Sequence, residues 1–434
     1  MMRALRNIIA VMVLPGWLQA QDTLVVNKQT LLKDAPLKNA QVKIAEQGWL
    51  AAAAGYQQTK AIYLPNVNLS YTAITTTNPL MAFGSKINQE AVTMADFNPA
   101  LINNPGNIQN LNTKLEVQQP IINYDAMYQR KAARAQADAM RMKMERTSEY
   151  IAFETEKSYF QLQMAYAVLD VLNKARQTAL ANQKLVNDYY NNGLLQKSEL
   201  LNVQVRITEI DNQLQYARSA IRNASDYMHL LLNEPADKIL KPADTLSFEK
   251  TGSLPANLNE SRKDIAACSK GLEARNNMTI AAQKKFLPRL NAFGSYELND
   301  KRVYNFRGEG YLLGVQLAWN VFDGFKTKGS VQQAKANYRQ AEEELTQYKS
   351  QSQLEINKTI RQLNDAAAKI SLTKLAIEQS LEAYRIRSNR FGQGLEKTTD
   401  LLNAEMQTTQ KQLEYQQAVL EYNITASYLN FLNK

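Results

Sequence analysis

The sequence predicts a mainly α-helical chain of two tandem repeats, each a long coiled-coil helical hairpin carrying a β-hairpin, the β-hairpins contributing to a membrane β-barrel. Three observations predict it. The turns "NNGLLQKSELLN" and "GQGLEKTTDLLN" lie 201 residues apart, proline is absent from 121 to 234 and from 289 onward, and apolar and polar residues alternate with period two in several segments.

The duplication is in one register. Without a gap, Gly193 falls on Gly394, Leu200-Leu201-Asn202 on Leu401-Leu402-Asn403, Ala217 on Ala418, Tyr227 on Tyr428 and Leu231 on Leu432. It extends backward through Glu154, Lys157 and Gln161, which fall on Glu355, Lys358 and Gln362. A unit near half the chain is too long for a solenoid repeat. The expected divisions are 1–20 as a signal peptide, 21–233 as the first repeat, 234–258 as a linker and 259–434 as the second repeat.

The start, "MMRALRNIIAVMVLPGWLQAQD", has basic Arg3 and Arg6, an apolar run from Ile8 to Leu14, and Ala20 placed for cleavage before Gln21. It reads as an export signal, because the run is too short to span a bilayer. The single cysteine, Cys268, excludes a disulfide framework and lies far from the mature N-terminus, where a lipid would attach. The formal charge is +10. Basic and acidic residues alternate along the helices rather than cluster, which argues for solvated faces and against nucleic-acid binding.

Taken in order, a helix is expected over about 30–62. In "YLPNVNLSYTAIT", Val67, Leu69, Tyr71 and Ala73 then alternate with Asn66, Asn68, Ser70 and Thr72, a strand with one apolar and one polar face. A loop rich in Pro, Asn and Gly runs from about 76 to 110, and "NTKLEVQQPI" returns as a second strand. From Tyr124 to Tyr190 neither proline nor glycine interrupts the chain, so a helix on the order of 100 Å long is expected. The Gly193 turn sends the chain back through a second helix to Leu232.

The second half repeats this order. A helix covers about 259–286, "FLPRLNAFGSYEL" echoes the first strand, "GYLLGVQLAWNVF" is the second, a long helix runs from Phe325 to Phe391, and a last helix follows the Gly394 turn. Pro65 to Gly193 spans 22 residues more than Pro288 to Gly394, and the first hairpin loop is the simplest place for the excess. In the second long helix, Ala334, Tyr338, Ala341, Leu345, Tyr348, Ser352, Ile356, Thr359, Leu363, Ala366 and Ile370 recur at steps of three or four. That is a coiled-coil seam whose small knobs permit close helix approach.

The last strand argues for a membrane. Tyr311, Leu313, Val315, Leu317, Trp319 and Val321 share one face, opposite Gln316 and Asn320. Tyr311 and Trp319 stand about 27 Å apart along a strand, nearer 20 Å along a membrane normal after tilting, as an aromatic girdle requires. Period two also fits a soluble sheet lying on a core, but no amphipathic helix is left over to cover this face. A sheet in lipid must close, and four strands cannot. Several copies must then share one barrel, and Asn66, Asn68, Lys114, Glu116, Gln316 and Asn320 would line a wet interior.

With two such halves ending in "FGQGLEKTTDLLNAEMQTTQKQLEYQQAVLEYNITASYLNFL", essentially the whole mature chain resembles the TolC family of outer-membrane efflux ducts. The resemblance implies a homotrimer with a 12-stranded barrel in the outer membrane and an α-helical tunnel extending into the periplasm. It further implies docking to a periplasmic adaptor (membrane fusion) protein and an inner-membrane transporter. Gly193 and Gly394 would then be tip turns with positive φ, Ser198 and Thr399 would cap the returning helices, and Leu194, Leu195 and Leu395 would meet the adaptor. Packing of the turn itself is the alternative for these leucines.

In the family an acidic ring lies at the position of Asp400, whose repeat mate is Glu199. The next acidic position holds Asn403 here, and a position that is basic in some members holds Glu396, so the contacts that close the entrance must use other pairs. Asp400 can also act simply as a helix N-terminal acid.

Catalysis is not expected. His229 and Cys268 are the only His and Cys, which leaves no metal cluster and no Cys–His pair. Met140 and Met144 share a face that reads as core packing rather than copper passage. No glycine-rich phosphate loop occurs, and no cofactor is expected. The alternatives kept are a type I protein secretion duct and, from another class, a poreless periplasmic coiled-coil adaptor or structural protein.

Overall fold

The computed structural model describes residues 23–434 apart from 251, 253, 254 and 304, so the export signal expected over 1–20 lies outside the described residues. In chain order, Thr23–Val26 (β1), Lys28–Lys38 (α1) and Ala40–Gln58 (α2) lead into Asn66–Thr76 (β2). Pro79–Asn88 (α3) and Pro99–Asn103 (α4) lie within the first hairpin loop, before Ile108–Ile122 (β3), Tyr124–Asn191 (α5), Lys197–Leu232 (α6) and Ile239–Pro242 (β4). Lys263–Lys284 (α7), Arg289–Asp300 (β5), Gly308–Ala318 (β6), Lys326–Gly392 (α8) and Thr398–Asn433 (α9) complete the chain. The order helix, strand, strand, very long helix and shorter helix therefore occurs twice, as two tandem repeats.

The helix expected over 30–62 is interrupted at Asn39, whose backbone is extended at φ −60 and ψ 134. Its side chain donates to the Leu231 carbonyl (2.9 Å) and accepts from the Gln41 N–H (2.8 Å), so it serves a tertiary partner and the following helix together. The expected linker contains β4, which pairs in parallel with β1 from Thr23↔Ile239 to Val26↔Pro242. Four-residue strands are too short to show a period. The last strand ends earlier than expected, at Ala318, because its partner β5 begins opposite at Arg289. Trp319 and Val321 thus lie beyond the ladder, and the Trp319 Nε1–H donates to the Phe286 carbonyl at 3.0 Å.

Residues form two compact units. The first holds the described residues of 23–43, 148–256 and 356–433. In its first hairpin, Leu172, Ala175 and Ala179 of α5 pack on Ile210, Leu214 and Ala217 of α6. Alanines opposite branched side chains let the helices lie close. In its second hairpin, Ala366 and Ile370 of α8 pack with Ala418, Val419, Tyr422 and Ala426 of α9. A further cluster joins Val26, Leu31 and Leu240 to Ile151, Tyr159, Leu162 and Met228. Each fully buried aliphatic or aromatic side chain contributes on the order of 1.5–3 kcal/mol.

The second unit holds residues 44–147 and 257–355. Its sheet runs β2-β3-β5-β6, antiparallel throughout, leaving β2 and β6 as open edges. α2, α5, α7 and α8 all join the strands at one end, and both hairpin loops lie at the other. Asp264 on α7 gathers the helices, meeting Arg262 (2.6 Å), the Tyr348 hydroxyl of α8 (2.7 Å) and Arg146 of α5 (3.6 Å). The seam read on α8 is its less exposed face, with Ala341, Ser352, Ile356, Thr359, Ala366 and Ile370 buried. Among the described residues no helix is long and apolar enough to cross a membrane.

Candidate functional site

The four-stranded sheet presents two chemically distinct faces. Register places Val67, Leu69 and Tyr71 beside Leu115 and Val117, then Tyr296, then Tyr311, Leu313, Val315 and Leu317. This face is bare: Leu69 is 70% exposed, Tyr311 78% and Leu313 73%. The opposite face carries Asn66, Asn68, Lys114, Glu116, Gln118, Ser295, Glu297 and Gln316. Polar side chains there satisfy one another, as Lys114 pairs with Glu297 (3.1 Å) and Asn112 donates to Asn299 (3.0 Å). The sheet thus has a greasy side without a core and a wet side with its own network. Asn320, like Trp319, lies past the end of β6.

The tip turns are alike in atomic detail. Gly193 and Gly394 have φ of 72 and 74. The Gly193 N–H donates to Tyr190 O and the Leu194 N–H to Tyr189 O, while Gly394 donates to Phe391 O and Leu395 to Arg390 O, all at 2.9 Å. Each is a Schellman motif with glycine at its left-handed position. The residue after the glycine often packs back on its helix in this motif, yet Leu194 is 70% and Leu395 62% exposed. Leu195 differs, because it is half-buried against Val186, Val203, Phe391, Leu401 and Leu402. The Tyr189 hydroxyl joins the two tips by donating to Gly392 O at 2.8 Å.

Ser198 and Thr399 do not cap the returning helices. α6 starts at Lys197 and α9 at Thr398, which puts both residues inside the first turn, and the residue before α6, Gln196, makes no side-chain cap. Glu199 and Asp400 occupy those first turns, half-buried. No hydrogen bond or ion pair joins them among the described residues, and Glu199 Oε2 is buried without a partner. Glu396 takes Arg387 (2.9 Å) and Arg390 (2.8 Å) of its own hairpin.

A family model described as "Outer membrane efflux protein" matches residues 31–234 and 254–432. The chain belongs to the outer membrane efflux protein family. It is 20% identical over 330 residues, 73% of this chain and 68% of the other, to the alkaline protease secretion protein AprF of Pseudomonas aeruginosa. The crystal structure of the outer membrane protein VceC from Vibrio cholerae superposes with a TM-score of 0.79 at 18% identity, covering 94% of this chain and 96% of that one. The Campylobacter jejuni CmeC outer membrane channel gives 0.80 at 16% identity, covering 94% and 85%. This efflux-family protein is an outer membrane channel, a passive exit duct with a tunnel extending into the periplasm.

One contact in this efflux protein escaped the reading of motifs. Arg206 of α6 and Glu405 of α9 form a bidentate pair at 2.8 and 3.2 Å, their side chains 7% and 3% exposed. Thr409 donates a further hydrogen bond to Glu405 at 3.0 Å. A signal existed, since Arg206 falls on the buried stripe Val203, Ile210, Leu214 and Ala217, where an unpaired charge would be intolerable. His229 is buried in the last turn of α6, its Nε2 facing the Lys238 carbonyl at 3.0 Å. Met140 lines a groove of about 750 Å³ with Ala133, Ala267 and Cys268, between α5, α7 and α8.

Proposed function

We propose that three copies close one twelve-stranded barrel and that the assembly works without catalysis, docked to a periplasmic adaptor and an inner-membrane pump. The observation that carries this is the bare apolar sheet face backed by a polar one, with β2 and β6 left as open edges. In lipid each unpaired edge group costs several kcal/mol, so β6 of one copy must meet β2 of the next. α2 supports the same reading: it has no buried residue, although Ile44 and Leu50 are apolar and exposed. Because α2 leads into β2 and α8 leaves β6, joining those edges gives α2 a neighbour in the adjacent copy. Residues 1–20 serve as the export signal, and 234–258 link repeats spanning 21–233 and 259–434.

In this reading Gly193, Leu194, Leu195, Gly394 and Leu395 form the tips that meet the adaptor. The exposure of Leu194 and Leu395 supports contact, whereas Leu195 chiefly packs the turn. Asp400 and Glu199 mark the entrance, with Tyr311 and Trp319 in the aromatic girdle. Arg206–Glu405, Tyr384–Asn182 (3.2 Å) and Tyr189–Gly392 hold the hairpins together in place of the family's contacts. Small toxic molecules or metal ions are the substrates expected of an efflux duct. The likeness to AprF favours a second reading, type I protein secretion, through the same architecture.

The test is single-channel recording of the purified oligomer in planar bilayers. Conductance with cation preference is expected, and Asp400→Asn should weaken that preference because three carboxylates around one opening favour cations. A purified oligomer that never conducts overturns the duct. A conducting Asp400→Asn variant with unchanged selectivity removes Asp400 from the entrance.

A further inference from the structure

The extra length of the first hairpin loop is folded. Asn78 caps α3 by accepting the Met81 N–H, and Pro79 occupies its first turn. The helix ends in its own Schellman motif, with Glu90 at φ 51 and hydrogen bonds from Glu90 to Ile87 O and from Ala91 to Lys86 O. Thr93 and Asp96 make a capping box around the turn that follows. Lys86 ties that turn to α3 through Asp96 at 2.6 Å, and Phe83 meets Phe97 edge to face at 5.7 Å. The Lys86 hydrogen bond, with those from Thr93, holds the Asp96 carboxyl down at about 2, so the tie persists well into acid.

This small body is planted on the wet face of the sheet. Gln89 is 3% exposed and donates to Gln109 O (2.7 Å) and Asn110 Oδ1 (2.8 Å), and Asn110 donates to Asn299 at 3.0 Å. Asn110 and Asn112 share the face of Lys114 and Glu116, and Asn299 pairs with Asn112 and Gly308. At Gly308 the α3 backbone comes so near that a Cβ would stand 2.1 Å from Asn88 O. The C-terminal end of α3 therefore sits across β3, β5 and β6, on the polar side, at the sheet end away from the long helices.

We infer that residues 77–107 form an inward plug, giving the duct a second constriction at its outer mouth, separate from the entrance at the tips. The inference rests on the proposal that the polar face lines a barrel closed by three copies. Three plugs then enter one ring. A twelve-stranded barrel lies between the eight-stranded barrels that side chains fill and the sixteen-stranded ones that leave a water channel. Three helices of about 10 Å diameter obstruct much of that width. The seat uses polar side chains and one glycine, so water entering the ring can compete for it and the plug can lift.

The test reads access from outside and is independent of the tips. Asn68→Cys, on the polar face of uncovered β2, is placed in a Cys268→Ser background and labelled on intact cells with a small maleimide or a polyethylene-glycol maleimide. The small reagent should label, and the bulky one should be excluded. Replacing 79–104 by a short Gly-Ser turn, or unseating α3 by Gly308→Val with the loop intact, should speed bulky labelling about tenfold or more. Outer-membrane abundance of each variant, by immunoblot, reports folding. Equal bulky labelling with and without the seat overturns the plug and leaves the duct standing. If the small reagent also fails in the loop-replaced variant at normal abundance, the polar face does not line an open barrel, and both readings fall.

Discussion

Arg206 and Glu405 carry a large single-residue consequence in the hairpin region. Their attraction and hydrogen bonds offset the cost of dehydrating both charges, so removing one partner strands the other. Arg206→Ala or Glu405→Ala should each destabilise the fold by about 3–5 kcal/mol, read as a lower denaturant midpoint. The double variant Arg206→Met with Glu405→Leu should recover most of the loss, since a packed apolar pair of similar volume needs no compensation. A single variant as stable as wild type would show that water reaches the pair. The contrast with Glu396 is instructive. Its two arginines lie exposed near the C-terminal end of α8, where ion pairs contribute about 0–1 kcal/mol. The sequence displayed Glu396 as a departure from the family while hiding Glu405, because legibility followed motif position and not burial.

At the scale of elements, α5, α7 and α8 depend on one carboxylate. Burial pushes the Asp264 carboxyl up, but hydrogen bonds from Arg262 and Tyr348, with the Arg146 charge, outweigh it and hold it at about 2 instead of the ordinary 3.8. A depressed folded value means the unfolded chain takes up the proton first. The stabilisation is therefore complete above pH 3.8, declines as pH falls toward 2, and is gone below it. Asp264→Asn should flatten the acid limb of a thermal-stability profile in that window, and an unchanged limb would show that other carboxylates govern it. Long elements were legible because a proline-free stretch and a three-four seam each repeat their signal many times. Short ones were not: β1 and β4 are four residues each and exist only through pairing with each other, and Asn39 breaks its helix for a partner at Leu231. α3 and α4 lay in a segment whose Pro, Asn and Gly residues spell turns, yet Asn78 and Asn98 there are N-caps and Pro79 and Pro99 begin the helices.

For the whole molecule, the decisive physical question is which solvent each sheet face meets. Leu312 and Leu313 answer it, because they are neighbours in the middle of β6 and point opposite ways, Leu312 opposite Ser295 and Leu313 opposite Gly294. Both are exposed, at 58% and 73%. On a soluble sheet with two wet faces, arginine at either place would be harmless. In a closed barrel the lipid side charges about 2–4 kcal/mol for an arginine near the bilayer middle, while the lumen tolerates it. In the proposed trimer that penalty is multiplied threefold, since each copy contributes the same strand to one cylinder. Leu313→Arg should therefore abolish recovery of oligomer from the outer membrane, whereas Leu312→Arg should assemble normally and shift conductance toward anions. Equal recovery of both variants would mean that the Leu313 face does not touch lipid, and the reversed order would place the lumen on the apolar side.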